Sequence, residues 1–365
     1  MEWIAREEVS MVRLKDIALR AGVSVMTVSK VMHDAGDISA ATKARIRQLA
    51  EQMGYMPDGV AQGLRMRTTK LFGLVIAAAT NPIYARVIMA IEEHAHEMGY
   101  DLITAHSLNM PEREEAVIRR MLSRRIDGLF VAPVYRLDPR AAIYEELLRR
   151  ALPTVLLGHR APFCQKFPNV ETDDVAASGA LTKHLIDLGH RRIAFFAGPS
   201  ASPAAHERLE GYRKALREAQ IELDDKLVFN AGSTIEEGEK AALQMLNESP
   251  NATAIQGVND LVAIGAASLL LNQGVRIPQE MSVVGFGNVL TSEHFRVPLT
   301  TVRQPKLRLG AAAMESMVRL LKGDQVGTKR LPAEIVVRES SGPPSGQNPK
   351  SRTPNSQEAP NLNGQ

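Results

Sequence analysis

Cysteine and long apolar runs are the scarcest features of this sequence. Cys164 is the single cysteine among 365 residues, which excludes an internal disulfide framework and fits a reducing compartment. No apolar run reaches membrane-spanning length, and residues 1–10 lack the apolar stretch of a signal peptide. These absences predict a cytoplasmic protein without a membrane segment, long enough for more than one domain.

Catalytic signatures are missing as well. The sequence contains no G-x-S-x-G elbow, no phosphate-binding P-loop, no G-x-G-x-x-G after a predicted strand and no H-E-x-x-H pair. His94 and His96 lie two positions apart on a predicted helix and therefore do not share a face. We accordingly expect no enzymatic activity, no cofactor and no metal site.

Positive charge is concentrated near the N-terminus. Residues 1–70 hold eleven Lys/Arg against eight Asp/Glu, whereas the rest of the chain holds 33 of each. Such a segment can neutralise DNA phosphates and release counterions. A solvated basic face is the alternative interpretation of the charge alone.

The same region carries the pattern of two short helices joined by a tight turn, LKDIALRAGVSVMTVSKVM. Apolar residues at i, i+3, i+4 and i+7 begin at Leu14, Gly22 breaks the chain, and Ser24 is a plausible N-cap. On the second helix Val28, Val31 and Met32 lie opposite a face formed by Val25, Met26, Ser29, Lys30 and His33. This is typical of a helix-turn-helix, although an ordinary helical hairpin shares the pattern. Ser39 can cap a third helix, which Gly54 closes.

The N-terminal region resembles the DNA-binding headpiece and hinge of the lactose/galactose repressor (LacI/GalR) family. The segments that carry this resemblance are KDIALRAGVSVMTVSKVM, Gly54-Tyr55, Pro57, VAQGLR and TK. The resemblance implies a headpiece over residues 13–56 after an extension, residues 1–12, because a family member would begin near Met11. It also implies a hinge over residues 57–70 that folds on operator DNA, although a flexible linker is the alternative. The DNA-binding residues that it implies are Ser24, Val25, Met26, Thr27, Ser29 and Lys30 in the headpiece, with Leu64 and Arg65 in the minor groove.

From residue 71 strands and helices alternate, which predicts α/β architecture with doubly wound parallel sheets. The family resemblance continues over this part of the chain. It is carried by HLIDLGHRRIAFFAG, ERLEGYRKAL, GVNDLVAIGA, SVVGF and PLTTVRQP. It implies two lobes like those of periplasmic sugar-binding proteins, with crossovers near Thr172, Val302 and Leu331. Lobe 1 would comprise residues 71–172 and 303–330, and lobe 2 residues 173–302 and 331–340. Residues 341–365, rich in Pro, Ser, Asn and Gln, should be disordered.

Ligands of open α/β sheets lie beyond the carboxyl ends of the strands. Together with the resemblance, this rule predicts an effector site formed by Thr80, Tyr84, His159, Arg160, Arg208, Asn259 and Asn288. Gly158 and Gly287 stand where family members usually carry aspartates. A cleft rich in donors and poor in acceptors suits an anion, so a sugar acid or sugar phosphate is the predicted effector.

The resemblance therefore implies a transcriptional regulator, a repressor by type, whose DNA affinity a small metabolite controls. A homodimer would bind a pseudo-palindromic operator, since two-fold protein symmetry matches two-fold DNA, and would act at the cytoplasmic nucleoid. The tail lacks the leucine-rich heptads of a tetramer. The alternative is a regulator of the same fold that a protein partner controls or that acts constitutively.

Overall fold

The computed structural model describes residues 12–56, 68–248 and 251–345. The chain divides into two compact units, Met1–Thr69 and Lys70–Gln365, which we call the headpiece unit and the body. Leu64 and Arg65, the predicted minor-groove residues, lie outside the described residues, as do residues 1–11, most of the predicted hinge and residues 346–365 of the tail.

The headpiece unit contains three helices around a small apolar core. They are α1 (Leu14–Ala21), α2 (Val25–Met32) and α3 (Ala40–Gln52). Gly22, with φ +67°, makes the turn between α1 and α2, a conformation that glycine adopts at little steric cost. The Ser24 and Ser39 hydroxyls accept from the backbone N–H groups of Thr27 and Thr42 at 3.0 and 3.3 Å, so each caps a helix. The fully or nearly fully buried core consists of Ile17, Ala18, Val28, Val31, Ile46 and Ala50.

The body contains two six-stranded sheets. The first, in spatial order, comprises β11 (Lys329–Leu331), β5 (Asn169–Thr172), β4 (Thr154–Leu157), β3 (Gly128–Val131), β1 (Leu71–Ile76) and β2 (Asp101–His106). The second comprises β12 (Glu334–Val336), β10 (Thr300–Arg303), β9 (Ser282–Gly287), β8 (Ala254–Gly257), β6 (Ile193–Ala197) and β7 (Val228–Asn230). Every pairing is parallel except that of β12 with β10. The predicted doubly wound parallel sheets are confirmed, and each sheet forms one lobe.

Helices cover both faces of each sheet. In lobe 1 these are α4 (Pro82–Glu97), α5 (Pro111–Ser123), α6 (Ala142–Arg149) and α12 (Lys306–Leu321). In lobe 2 they are α7 (Asp174–Asp187), α8 (Pro203–Glu218), α9 (Ile235–Glu248), α10 (Asp260–Asn272) and the short α11 (Leu290–His294). Coverage of both faces explains why the strands read as continuous apolar runs rather than alternating ones. Across the described ranges, no helix is long and apolar enough to cross a membrane.

The chain passes between the lobes three times. It leaves lobe 1 after β5, returns between β10 and α12, and leaves again between β11 and β12. The carboxyl ends of both sheets consequently border the junction of the lobes, which is where open parallel sheets bind ligands.

Candidate DNA-binding and effector sites

The exposed face of α2 is apolar at its start. Val25 and Met26 are 47% and 68% exposed, whereas Val28 and Val31 on the opposite side are fully buried. Ser24 and Thr27 hold the first turn together, because their hydroxyl oxygens also lie 2.9 Å apart. The helix thus offers two apolar side chains and the polar side chains of its first two turns to solvent. This is the composition that can contact thymine methyl groups and phosphates in a major groove.

Lys30 on that face forms an ion pair with Asp37, a partner that the sequence pattern did not reveal. Both side chains are about half exposed, at 46% and 57%. The hydrogen bond from Lys30 holds the pKa of Asp37 below its usual value. Lys30 must therefore exchange this carboxylate for a DNA acceptor if it contacts a base edge.

Replacement of Asp37 by asparagine should strengthen DNA binding, because Lys30 would no longer leave an ion pair. Exposed ion pairs contribute little free energy, so we expect roughly a two- to fivefold gain in affinity that shrinks at high salt. Fluorescence anisotropy with a selected duplex at two salt concentrations measures it. Asp187→Asn removes the same charge in the body and should change nothing; an equal gain there would contradict the role of Asp37.

Three further cations of this region, all on α3, hold the three-helix unit together. Lys43 and Arg47 of α3 both pair with Asp34, at 3.0 and 2.7 Å, and the Arg45 guanidinium donates to the Ala21 carbonyl at 3.3 Å. The bonds from Lys43 and Arg47 lower the pKa of the Asp34 carboxyl. Part of the local positive charge is therefore used in packing α3 against the end of α2.

A cavity of about 160 Å³ lies between the two lobes of the body. Lobe 1 supplies Tyr84, Tyr135 and His159 together with an apolar wall, whereas lobe 2 contributes Asp174, Ala204 and Arg208. Apolar cover on one side and a few convergent polar groups on the other is the usual character of a small-molecule site. We call this space the effector cavity.

Arg208 is already paired inside the effector cavity. Its Nε and Nη2 atoms both lie 2.9 Å from Oδ2 of the fully buried Asp174, and its Nη1 donates to the Val258 carbonyl at 2.7 Å. The guanidinium also stacks 3.8 Å from the centroid of the Phe286 ring. Burial raises the pKa of Asp174, and Arg208 opposes that rise. The pair contributes no net charge to the cavity when Asp174 is ionised.

The second oxygen of Asp174, Oδ1, is buried and has no hydrogen-bond partner among the described residues. The same is true of Gln304 Oε1, whose amide nitrogen donates to the Thr172 hydroxyl at 3.0 Å. Asp174 and Gln304 both line the effector cavity. Buried acceptors in native proteins are nearly always satisfied by protein, by ordered water or by a ligand. These two atoms therefore mark places in the cavity wall where a water molecule or a ligand donates.

A cluster that we call the interlobe bridge lies at the edge of the effector cavity. Glu207 of lobe 2 accepts from Arg330 Nη2 of lobe 1 at 2.8 Å, and its other oxygen lies 3.1 Å from His159 Nε2. Arg330 also donates to Glu171 at 2.7 Å. The bridge ties one helix of lobe 2 to two strands' ends in lobe 1.

Candidate metal-ligating atoms of His159, Glu171 and Glu207 lie within 4.8 Å of one another. Arg330 already donates to both carboxylates, so a guanidinium supplies the positive charge that a metal ion would bring. The cluster is therefore complete as an ion-pair network without a metal.

The stability of the body should depend on pH through His159. Burial alone would lower the pKa of His159, but the bond to Glu207 and the nearby Asp174 and Glu171 carboxylates raise it above the usual 6.5. Because the folded pKa is raised, this stabilisation is complete below pH 6.5 and is lost as the pH rises through the folded value. Urea unfolding of wild type and His159→Gln across this range should give a difference that shrinks with pH; a constant difference would contradict the charged bridge.

The predicted effector residues separate into two groups. Tyr84, His159 and Arg208 line the effector cavity, and burial raises the pKa of Tyr84 to about 12. Thr80 is exposed and does not line it, and Arg160 faces a neighbouring cleft, where its guanidinium donates to the Gln165 carbonyl at 3.3 Å.

Asn259 and Asn288 serve local structure instead. Asn259 caps α10, accepting from the Val262 N–H at 2.8 Å, and donates to the Ser233 carbonyl. Asn288 accepts from Arg338 at 2.8 Å. Both residues follow strand ends, as the rule for open α/β sheets predicts. Their side chains form these local hydrogen bonds instead and do not line the effector cavity.

The two glycines at which the family resemblance predicts aspartates, Gly158 and Gly287, have left-handed backbones. Gly158 has φ +131°, and a Cβ there would come within 3.0 Å of the Tyr135 hydroxyl, which donates to the His159 carbonyl. Tyr135 thus occupies the space that an aspartate side chain would need. At Gly287, φ +138°, the nearest group is the Asp260 carboxylate.

The prediction of an acceptor-poor cleft is wrong. Asp174 and Glu171 line the effector cavity, Glu207 borders it, and none of them was selected from the sequence. Asp174 had a usable signal, since it follows a buried strand at a predicted crossover. Glu207 is adjacent in sequence to Arg208 but had no signal of its own.

Comparisons with known proteins agree with this architecture. Residues 13–58 match the family described as bacterial regulatory proteins, lacI family, and residues 69–335 match periplasmic binding proteins and sugar binding domain of LacI family. The HTH-type transcriptional repressor PurR of Photobacterium profundum is 33% identical over 90% of this chain and 98% of its own. The repressor CytR of Escherichia coli is 30% identical over 92% and 98%.

A solved structure extends the likeness to three dimensions. The Lac repressor dimer bound to operator and the anti-inducer ONPF superposes with a TM-score of 0.81, at 28% identity, over 91% of this chain and all of that one. The curated relatives are DNA-binding repressors, so the predicted regulator, rather than an enzyme, is confirmed. The chain belongs to the LacI family of DNA-binding transcriptional regulators.

Proposed function

We propose that this LacI-family regulator is a repressor that binds a pseudo-palindromic operator through the exposed face of α2 and responds to a small uncharged metabolite rich in hydroxyl groups. Val25, Met26 and Lys30 would contact bases, while Ser24, Thr27 and Ser29 would hold phosphates or the helix start. In a dimer two such faces meet two half-sites. We place its action in the cytoplasm, at the nucleoid.

The unpaired Asp174 Oδ1 carries the proposal about the metabolite. A carboxylate oxygen can only accept, so a ligand that displaces water from it must supply a donor: a hydroxyl or an N–H group. Gln304 Oε1 nearby favours the same kind of group. Sugars and nucleosides present several hydroxyl donors on a ring whose carbon atoms can pack against the apolar wall of lobe 1.

An anionic effector is less well supported by these contacts. The Arg208 guanidinium would have to leave Asp174 in order to bind a carboxylate or phosphate, and the anion would then lie beside Asp174. Breaking a buried pair by removing one partner is unfavourable by about 3–5 kcal/mol. The sugar acid or sugar phosphate expected from the sequence would meet this penalty, whereas an uncharged polyol would not.

The size of the effector cavity favours a single ring. An apolar cavity of about 150 Å³ holds one benzene molecule, and this one measures about 160 Å³. Most ligand pockets are larger, roughly 300–1,000 Å³. We infer that the structure represents a closed arrangement that encloses a small ligand and must open to release it.

The interlobe bridge gives the effector a way to alter DNA binding. Glu207 contacts both Arg330 and His159 only while the lobes are close. A ligand that contacts both lobes in the closed arrangement shifts the equilibrium toward it, by no more than its difference in affinity for the two arrangements. The two headpieces of a dimer would follow that shift.

Selection of random duplex DNA by the purified protein tests the proposal, with and without two ligand pools. One pool contains neutral sugars and nucleosides, and the other contains sugar acids and sugar phosphates. We expect an enriched palindrome whose recovery changes with the neutral pool. A response to the acid pool alone would overturn the proposed effector class. No response to either, with a saturable cell protein bound to the body, would favour the partner-controlled alternative.

A further inference from the structure

A second cleft between the lobes has a strongly positive lining. It measures about 620 Å³ and lies where the start of α4, the β9–α11 loop and the start of α12 meet. Arg86, Arg303, Lys306 and Arg308 line it, against a single lining carboxylate, Glu293. Its size falls within the range of small-molecule sites. It shares only Gln304 with the effector cavity, and we call it the cationic cleft.

Three of these cations have no partner among the residues that the structure describes. Arg86, Arg303 and Arg308 are exposed, and their side chains form no hydrogen bond or ion pair within the described ranges. Glu293 does not neutralise them, because it is 63% exposed and lies 3.6 Å from Arg338. Like charges gathered around one cleft raise its positive potential and attract anions.

Lys306 forms the floor of the cationic cleft and is fixed there. Its Nζ donates to the backbone carbonyls of Gly287 and Asn288 at 2.6 and 2.8 Å. Burial, with the approach of Arg86 and Arg303, lowers the pKa of Lys306 to about 8, although Asp260 opposes the shift. The positive charges of Arg86 and Arg303 therefore both act on the Lys306 amine.

We propose that the cationic cleft is a second binding site, for a small molecule that carries more than one phosphate group. The three arginines come from α4, from the end of β10 and from α12, so their guanidinium groups approach from different elements. Phosphate oxygens project in three dimensions and can accept from several guanidinium groups at once, whereas a planar carboxylate is best matched by one. Two or more phosphates would neutralise the excess charge.

This site is independent of the proposed effector. The charged side chains that line the effector cavity include Arg208, which is paired, and the carboxylates of Asp174 and Glu171, whereas four cations and one carboxylate line the cationic cleft. A phosphorylated ligand would contact Arg86 and Arg308 of lobe 1 beside the β9–α11 loop of lobe 2. It would therefore favour one relative arrangement of the lobes.

Isothermal titration of the full-length protein with inorganic tripolyphosphate tests the proposal, at constant ionic strength and with citrate as the carboxylate comparison. We expect saturable binding at one site per chain. Arg86→Gln combined with Arg308→Gln should weaken it by roughly tenfold or more. The matched control, Arg120→Gln combined with Arg124→Gln, removes the same charge from exposed positions of lobe 1 and should bind normally. Asp174→Asn should also bind normally.

Several results would overturn the proposal: no saturable heat, an equal loss in the control pair, or a loss in Asp174→Asn, which would place the anion in the effector cavity. Citrate binding as tight as tripolyphosphate would reject the phosphate preference. Thermal unfolding of each variant shows whether it is folded. If the double variant does not fold, Arg303→Gln alone removes one exposed guanidinium from the same cleft, and its affinity should fall in the same direction.

Discussion

Replacing Asp174 by alanine is expected to lower the free energy of unfolding of the body by about 3–5 kcal/mol, because it leaves a buried guanidinium without its carboxylate. The Arg208 side chain is only 11% exposed and both of its nitrogens on that side donate to Asp174. Water cannot replace the lost partner without entering the lobe. Urea unfolding followed by circular dichroism would measure the change.

Asp174→Asn separates binding from stability. The single oxygen of asparagine can still accept from Arg208, whereas its amide group would present a donor where Oδ1 is unpaired now. Folding should largely survive. Affinity for a hydroxyl-rich effector should fall about 10- to 150-fold, since hydrogen bonds to charged groups contribute about 1.5–3 kcal/mol.

The control for both variants is Asp187→Ala. Asp187 is 60% exposed and pairs with Lys183 at 2.7 Å on the surface of α7, so its loss should change stability by no more than about 1 kcal/mol. If Asp174→Ala were as stable as this control, the buried pair would not hold lobe 2 together as argued. Unchanged effector affinity in Asp174→Asn would remove the main support for an uncharged ligand.

Replacing Lys30 by alanine is expected to relax recognition of one base pair in each half-site. A good side-chain contact to a base edge discriminates by about 1–3 kcal/mol, so preference at that position should fall roughly 5- to 150-fold. Lys30 lies on the exposed face of α2 with Val25 and Met26, and its amine pairs with Asp37 in the absence of DNA. Its head group must exchange this carboxylate for a base edge.

Selection of random duplexes by wild type and Lys30→Ala would show the effect position by position. A uniform loss over all sequences would instead identify Lys30 as a phosphate contact. Lys15→Ala offers a comparison, because Lys15 is an exposed lysine of α1 outside the proposed base-contacting set. Loss of preference at the same base pair in that variant would contradict the assignment to Lys30.

The headpiece could be predicted from sequence because its determinants are local. Gly22, Ser24 and Ser39 act within a few residues of themselves, and helical periodicity identifies Val28 and Val31 as core. Alternation of strands and helices likewise predicted the two sheets, since each element carries its own apolar pattern.

The effector cavity was harder to predict because pairing across the chain decides the state of each group. Arg208 meets Asp174 from 34 residues away and Glu207 meets His159 from 48 residues away. A list of strand ends identifies which residues lie near the junction. It does not show that an arginine is already neutralised, or that a tyrosine fills the space beside Gly158.

Glu207 and Arg208 are adjacent on α8. Glu207 contacts Arg330 and His159 of lobe 1, whereas Arg208 holds Asp174, whose unpaired oxygen lines the effector cavity. The contact with lobe 1 and the positioning of Asp174 therefore depend on the same helix, α8. Gly211 lies one turn further along α8 and allows it to pack directly against α7. A Cβ at this position would come within 2.3 Å of the Val175 carbonyl oxygen. A movement of α8 against α7 would displace Glu207 and Arg208 together. A mutation that alters ligand specificity through α8 should therefore also alter how strongly the two lobes close on each other.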